Sequence, residues 1–168
     1  RQLESWFETR LATARTLSKD SDLIAACHGK NLDAAKERLL ALFEELGDYE
    51  NVFITDPEGV IQLAAVNEEN TVGIDVPSIP AYTINFDKAN QGEAFIGDAF
   101  ESPASGRPVS LITVPILEEG QLIGVLGTPI ELQAFAKNVV QPITIGDTGY
   151  VYIVDNSGVT LAHQNQEY

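Results

Sequence analysis

The chain has 168 residues, 44% of them hydrophobic and 21% charged, and its ten Lys+Arg stand against 25 Asp+Glu for a formal net charge of −15. Such a composition folds around a core, burying roughly 68–70% of the unfolded surface at this length, and is neither a disordered acidic tail nor a membrane span. The negative field repels phosphate backbones and anionic headgroups, which excludes nucleic acid as a partner.

A single cysteine, Cys27, makes no internal disulfide and fits no Cys-rich zinc pattern. No apolar run approaches the roughly 18–20 residues that cross a bilayer, and no signal peptide is visible. Because the sequence starts at Arg1 and contains no Met, it reads as part of a longer protein.

Leu3, Phe7, Leu11, Ala14 and Leu17 recur at three- and four-residue steps with Glu4, Glu8, Arg10 and Arg15 between them. This spacing predicts a helix from Arg1 to about Cys27. No N-cap precedes it, as expected of a helix that continues upstream. Ser18-Lys19-Asp20-Ser21 loosens it and His28-Gly29-Lys30 stops it. A second helix over Leu32 to Leu46 carries Leu32, Ala35, Leu39, Leu42, Phe43 and Leu46, with Asn31 as N-cap and Gly47 as the left-handed stop.

After Gly47 the period shortens. Val52–Thr55 and Val60–Leu63 flank Asp56-Pro57-Glu58-Gly59, in which Pro presets the turn and Gly takes the left-handed position, so a hairpin is expected. A loop with Gly73, Pro77 and Pro80 leads to a helical segment near Phe86 to Gln91. Three strands follow, Ala94–Phe100, Val109–Ile116 and Leu122–Leu126, and a short helix spans Glu131 to about Asn138. The sum is an α+β domain with one antiparallel sheet.

The segment Val52-Phe53-Ile54-Thr55-Asp56-Pro57-Glu58-Gly59-Val60 returns as Val151-Tyr152-Ile153-Val154-Asp155-Asn156-Ser157-Gly158-Val159. Any such turn wants the Asp and the Gly; the shared flanking apolar pattern points to a second copy of one module. Two unrelated hairpins in one sheet is the alternative. An isolated hairpin is marginal in water, so the later copy must pack on something.

Catalysis finds little support. His28 lies in a loop and His163 in the second hairpin, with no His-x-x-x-His helix and no Gly-x-Ser-x-Gly elbow. Cys27 and His28 are consecutive, so their side chains diverge. No Gly-rich loop leads from strand to helix to cradle phosphate. Glu44-Glu45, Glu68-Glu69 and Glu118-Glu119 read as solvated surface, there being no Asp-x-Asp-x-Asp-Gly calcium loop. The expectation is a non-enzyme without cofactor or metal.

The order of these elements carries a resemblance. Asp56-Pro57-Glu58-Gly59, Phe86-Asp87-Lys88-Ala89-Asn90-Gln91-Gly92-Glu93, Ser105-Gly106-Arg107-Pro108, Val114-Pro115-Ile116, Gly124-Val125-Leu126-Gly127, Gly146-Asp147-Thr148-Gly149-Tyr150 and Leu161-Ala162-His163 follow one another over nearly the whole chain. In this order they resemble the double Cache family, PAS-like extracytoplasmic sensor domains of bacterial chemoreceptors and histidine kinases. The resemblance implies N-terminal helices over residues 1–47, a membrane-distal Cache module over 48–140, and the start of a truncated membrane-proximal module over 141–168. It also implies a long first helix descending from a flanking transmembrane segment, a homodimer through that helix, and a small ligand held between sheet and helical insert.

Family members that bind amino acids use Arg-x-Trp-Tyr in the insert, which falls on Thr83-Ile84-Asn85-Phe86; an upstream aromatic falls on Ser78. Of two amine-contacting aspartates, one matches Asp98 and the other falls on Pro129. Only Asp98 and the aromatic Phe86 match. No guanidinium is placed to pair a carboxylate, which speaks against an amino-acid ligand. A small neutral or weakly polar ligand is expected instead. Tyr82, Thr83, Asn85, Phe86, Asp98, Phe100, Ser110 and Thr128 are its expected contacts, Thr113 and Phe95 further candidates. Strand alternation sends Ser110 and Thr113 to opposite faces, so at most one reaches the ligand. The expected role is the periplasmic sensing domain of a methyl-accepting chemotaxis receptor. A sensor histidine kinase, a cytoplasmic PAS-like dimerisation module and a structural interaction domain stay open as alternatives.

Overall fold

The computed structural model describes residues 2–140, 152–154 and 160–163. Its centre is an antiparallel sheet built on two long apolar strands, β5 (Pro108–Glu118) and β6 (Gln121–Glu131). Before them come β1 (Phe53–Thr55), β2 (Ile61–Ala64), β3 (Phe95–Ile96) and β4 (Phe100–Glu101). The order across the sheet is β2-β1-β6-β5-β3, with β4 also on β5. Pro115 sits where β5 has no partner on its outer side, since β3 pairs only with Ile112 and Thr113 and β4 with Pro108 and Val109; there a missing N–H costs nothing.

Val109 to Ile116 is buried throughout, because helices cover one face of the sheet and an insert covers the other. Helices α1 (Gln2–Leu17), α2 (Ser21–Cys27) and α3 (Leu32–Leu46) set Ala14, Leu23, Leu39 and Leu42 against Ile54, Ile112, Val114, Ile116, Leu126 and Ile130. The opposite face buries Phe53, Ile61, Leu111 and Val125 under Val76, Tyr82, Phe86 and Ala89 of the insert. Strands covered on both faces lose the polar alternation of a half-exposed sheet.

Several boundaries differ from the sequence expectation. The first predicted helix is two, because the Asp20 side chain accepts a hydrogen bond from Asp22 N at 2.8 Å and caps a new start. Asn31 precedes α3 but does not cap it through its side chain; its backbone is left-handed at φ 54°. Gly47 ends α3 at φ 66° as expected. The hairpin turn closes as read: Asp56 Oδ1 accepts from Val60 N at 2.9 Å, and Gly59 takes φ 96°. The insert holds more than one helix. Helix α4 (Glu68–Thr71) and 3-10 turns at Val76–Ser78 and Pro80–Tyr82 precede α5 (Thr83–Asn90). The strand expected over Ala94–Phe100 breaks into β3 and β4 around Gly97. Helix α6 (Leu132–Phe135) passes into a π-helical turn at Ala136–Val140.

Strands β7 (Tyr152–Val154) and β8 (Thr160–His163) pair with each other in a separate two-stranded sheet. The Gly146–Tyr150 motif and the Asp155–Val159 turn lie outside the described residues.

Candidate functional site

A cavity of about 660 Å³ opens between the insert and the sheet. Phe53, Ile61 and Pro129 form its floor, Val76, Ile79 and Tyr82 one wall, and the turn Ser102-Pro103-Ala104-Ser105 its outer rim. Asn51, Asn67, Asn70 and Thr71 add neutral polar groups. Two glycines shape it. A Cβ at Gly127 would lie 2.3 Å from Phe53 Cε2, so only glycine lets the ring lie flat across β6. A Cβ at Gly59 would meet Pro77 Cγ at 2.4 Å, so glycine lets the insert settle on the hairpin turn.

Among the described residues, Glu50 is the one charged side chain in the lining. Its Oε1 accepts from Ser102 Oγ at 2.7 Å and its Oε2 from Ser105 Oγ at 3.1 Å. Glu50 N donates to Pro129 O at 2.9 Å, which fixes the carboxylate beside the end of β6. Arg107, just beyond the rim turn in sequence, is paired with Glu131. Burial lifts the Glu131 carboxyl above its ordinary range, Arg107 opposes that shift and Glu50 adds to it. Burial, with the Glu50 charge second, pushes the Tyr82 phenol far up, so Tyr82 stays neutral at any physiological pH.

Of the eight residues expected to contact a ligand, only Tyr82 lines this cavity. The others fall into three groups. Asn85, Phe86 and Thr83 belong to the insert behind it, and Phe100 to β4 beside that insert. The fully buried Asn85 donates from Nδ2 to Leu111 O at 2.9 Å and Thr113 Oγ1 at 3.1 Å, pinning α5 to β5. Phe86 is core, Thr83 Oγ1 donates to Pro77 O at 2.8 Å, and Phe100 meets Tyr82 edge-on with centroids 4.6 Å apart. Ser110 and Thr128 belong to the other face: they share strand parity with Ile112 and with Leu126 and Ile130, which pack on the N-terminal helices. Ser110 Oγ donates to Gly97 O at 2.7 Å there. Asp98 is exposed on the bulge between β3 and β4, outside the cavity. Ser110 and Thr113 do face opposite ways, yet both are buried, because the sheet is covered on both sides. Phe95, the remaining candidate, is half-buried at the β3 edge.

Sequence reasoning missed Glu50, Asn51, Phe53 and the Ser102–Ser105 turn. The available signal was an acidic residue and an amide directly before the first strand; the facing of Phe53 and Gly127 needs the β1–β6 register. Cys27 and His28 sit at the end of α2, Cys27 against Gly124 and His28 Nε2 at 3.0 Å from Glu118 Oε1, and neither lines the cavity. Among the described residues no cluster of three His, Cys, Asp or Glu is arranged to hold a metal.

A cavity between a PAS-like antiparallel sheet and its helical insert narrows the family, and the sequence comparison decides it: the profile of the Cache domain family dCache_1 matches residues 1–168. The chain belongs to the Cache domain family. Among solved structures, this Cache domain is similar to the sensory domain of the Campylobacter jejuni chemoreceptor Tlp3, at 16% identity and TM-score 0.69 over 98% of this chain and 67% of that one. It is similar to the ligand-binding domain of the Pseudomonas aeruginosa amino acid chemoreceptor PctB in complex with L-Arg, at 20% identity and TM-score 0.67 over 97% of this chain and 65% of that one. The sensor domain of the Vibrio cholerae histidine kinase DctB gives 14% identity and TM-score 0.67 over 80% of this chain and 52% of that one. The chain thus spans about half to two thirds of the structures it matches. Among the curated proteins, none matches it. No helix of the described residues is long and apolar enough to cross a membrane.

Proposed function

We propose that this Cache domain is the extracytoplasmic small-molecule sensor of a bacterial transmembrane receptor, a methyl-accepting chemotaxis receptor in the first instance. The observation that carries the reading is the 660 Å³ cavity between sheet and insert, a volume within the range of small-ligand sites. Among the described residues its lining holds neutral amides and hydroxyls, one carboxylate and apolar walls, a composition that supports binding of a small molecule. Tyr82 contacts the ligand, while Asn85, Thr83, Phe86 and Phe100 hold the insert that carries Tyr82 in place. The likeness to the DctB sensor domain favours a histidine kinase as the second reading.

Residues 1–47 and 48–140 act together as one ligand-binding module, and residues 141–168 belong to a second unit. The pairing of β7 with β8 outside the six-stranded sheet supports that division. A dimer forms through α1. Ligand bound more tightly by one arrangement of insert and sheet biases that arrangement, and the helices packed on the other face carry the difference away.

Isothermal titration against a metabolite library, repeated with Ala104→Trp on the rim, tests the reading. The expected result is a ligand whose binding is lost in the variant. Binding unaffected by a filled rim would place the site elsewhere.

A further inference from the structure

We propose that the cavity is built for an organic monocation that lacks a carboxylate, an alkyl- or arylalkylammonium whose nitrogen meets Glu50 and whose hydrocarbon body lies on Phe53, Ile61 and Val76. This rests on the cavity being the ligand site. Three observations carry it.

The first is charge. Among the described residues Glu50 is the only charged group in the lining and is in no ion pair. Arg107, two residues beyond the Ser102–Ser105 turn, is bound to Glu131 and not to Glu50. One negative charge is left facing the cavity.

The second is capacity. An ionised carboxylate accepts about four hydrogen bonds, and Glu50 receives one on each oxygen, from Ser102 and Ser105. Both donors are neutral hydroxyls that hold the group in place without neutralising it. An ammonium supplies the missing charge and up to three further donors.

The third is the remainder of the lining. Among the described residues it offers no Lys or Arg with which a ligand carboxylate could pair, so an α-amino acid would bring its anionic end beside Glu50 without compensation. The apolar floor and the Phe53 and Tyr82 rings suit a hydrocarbon chain ending in a cation.

Titration calorimetry with three matched probes tests this: 2-phenylethylamine, 2-phenylethanol and L-phenylalanine, with 3-methylbutylamine, 3-methylbutanol and L-leucine as the aliphatic set. Within each set the members share a hydrocarbon and differ in charge. The amines are expected to bind about tenfold or more tightly than their alcohols and amino acids. Glu50→Gln, which keeps the shape and one acceptor oxygen, should lower amine affinity about tenfold, to the level of the matched alcohol measured on the same variant; far-UV circular dichroism and the thermal midpoint verify its fold.

Amino acids or alcohols binding as tightly as the amines, or no amine binding at about 10 mM, overturns the inference. Binding that Ala104→Trp abolishes but that shows no amine preference overturns the ligand class alone. Amine binding that survives Ala104→Trp overturns the site itself.

Discussion

Gly127 faces the Phe53 ring so closely that a methyl group at this position has nowhere to go, since the nearest atoms are ring carbons held between β1 and β6. Gly127→Ala must push the ring into the cavity or part the strands. The expected cost is about 1–3 kcal/mol by urea denaturation, with ligand binding lost. An unchanged midpoint would mean that the ring is free to move. Cys27 makes a second residue-scale case. Burial, followed by the Glu118 charge, pushes its thiol up to about 11 from an ordinary 9.0, against a smaller opposing backbone hydrogen bond. Raising the pKa of an acid removes thiolate at every pH below it. At pH 8 iodoacetamide should therefore react about a hundredfold more slowly with the native protein than with the chain in urea. The native rate should rise tenfold per pH unit until about pH 11. A native profile that levels off near pH 9 would contradict the environment described.

At the scale of elements, one contact decides how α1 meets the rest of the fold. Arg10 Nε donates to Asp48 Oδ2 at 2.8 Å, a second guanidinium nitrogen binds the same oxygen, and Arg10 stacks on Trp6 with its carbon 4.1 Å from the ring centroid. The Asp48 side chain is 2% exposed and that of Arg10 11%. Asp48 O also accepts from Glu131 N at 2.8 Å, so the clamp ties α1 to the segment that carries Glu50. Asp48→Ala strands a buried guanidinium and should cost about 3–5 kcal/mol, whereas Arg10→Met with Asp48→Leu should cost much less. A double-mutant cycle of Arg10→Met, Asp48→Leu and the two together measures the coupling, and a double-variant loss equal to the sum of the two single losses would show none. Helix spans were legible at this scale because apolar spacing fixes them: Leu32–Leu46 is found as read. How α3 is capped was not legible, since Asn31 sits at the cap position in a left-handed conformation with no side-chain hydrogen bond to the helix.

Across the whole molecule, charge of one sign prevails. A net −15 on 168 residues means that the compact state works against its own field. Salt shortens the screening length from about 30 Å at 0.01 M to about 8 Å at 0.15 M. The thermal midpoint should therefore rise by a few degrees across that range, read by calorimetry at constant pH. A flat or falling midpoint would mean that local ion pairs such as Arg10–Asp48 and Arg107–Glu131 outweigh the repulsion.

The sequence by itself determined the α+β class, the helix over Leu32–Leu46, the Asp56–Gly59 hairpin and the family, because periodicity, turn residues and the order of motifs are local properties of the chain. It did not determine the cavity. The Glu50–Phe53 segment, Tyr82 and Ser105 are distant in sequence and meet only through the β1–β6 register and the folding of the insert over one face. Ser110 and Thr128 show the same limit. Whether a hydroxyl on a strand buried on both sides faces the ligand or the helices depends on which layer lies over it, and only the tertiary structure decided that.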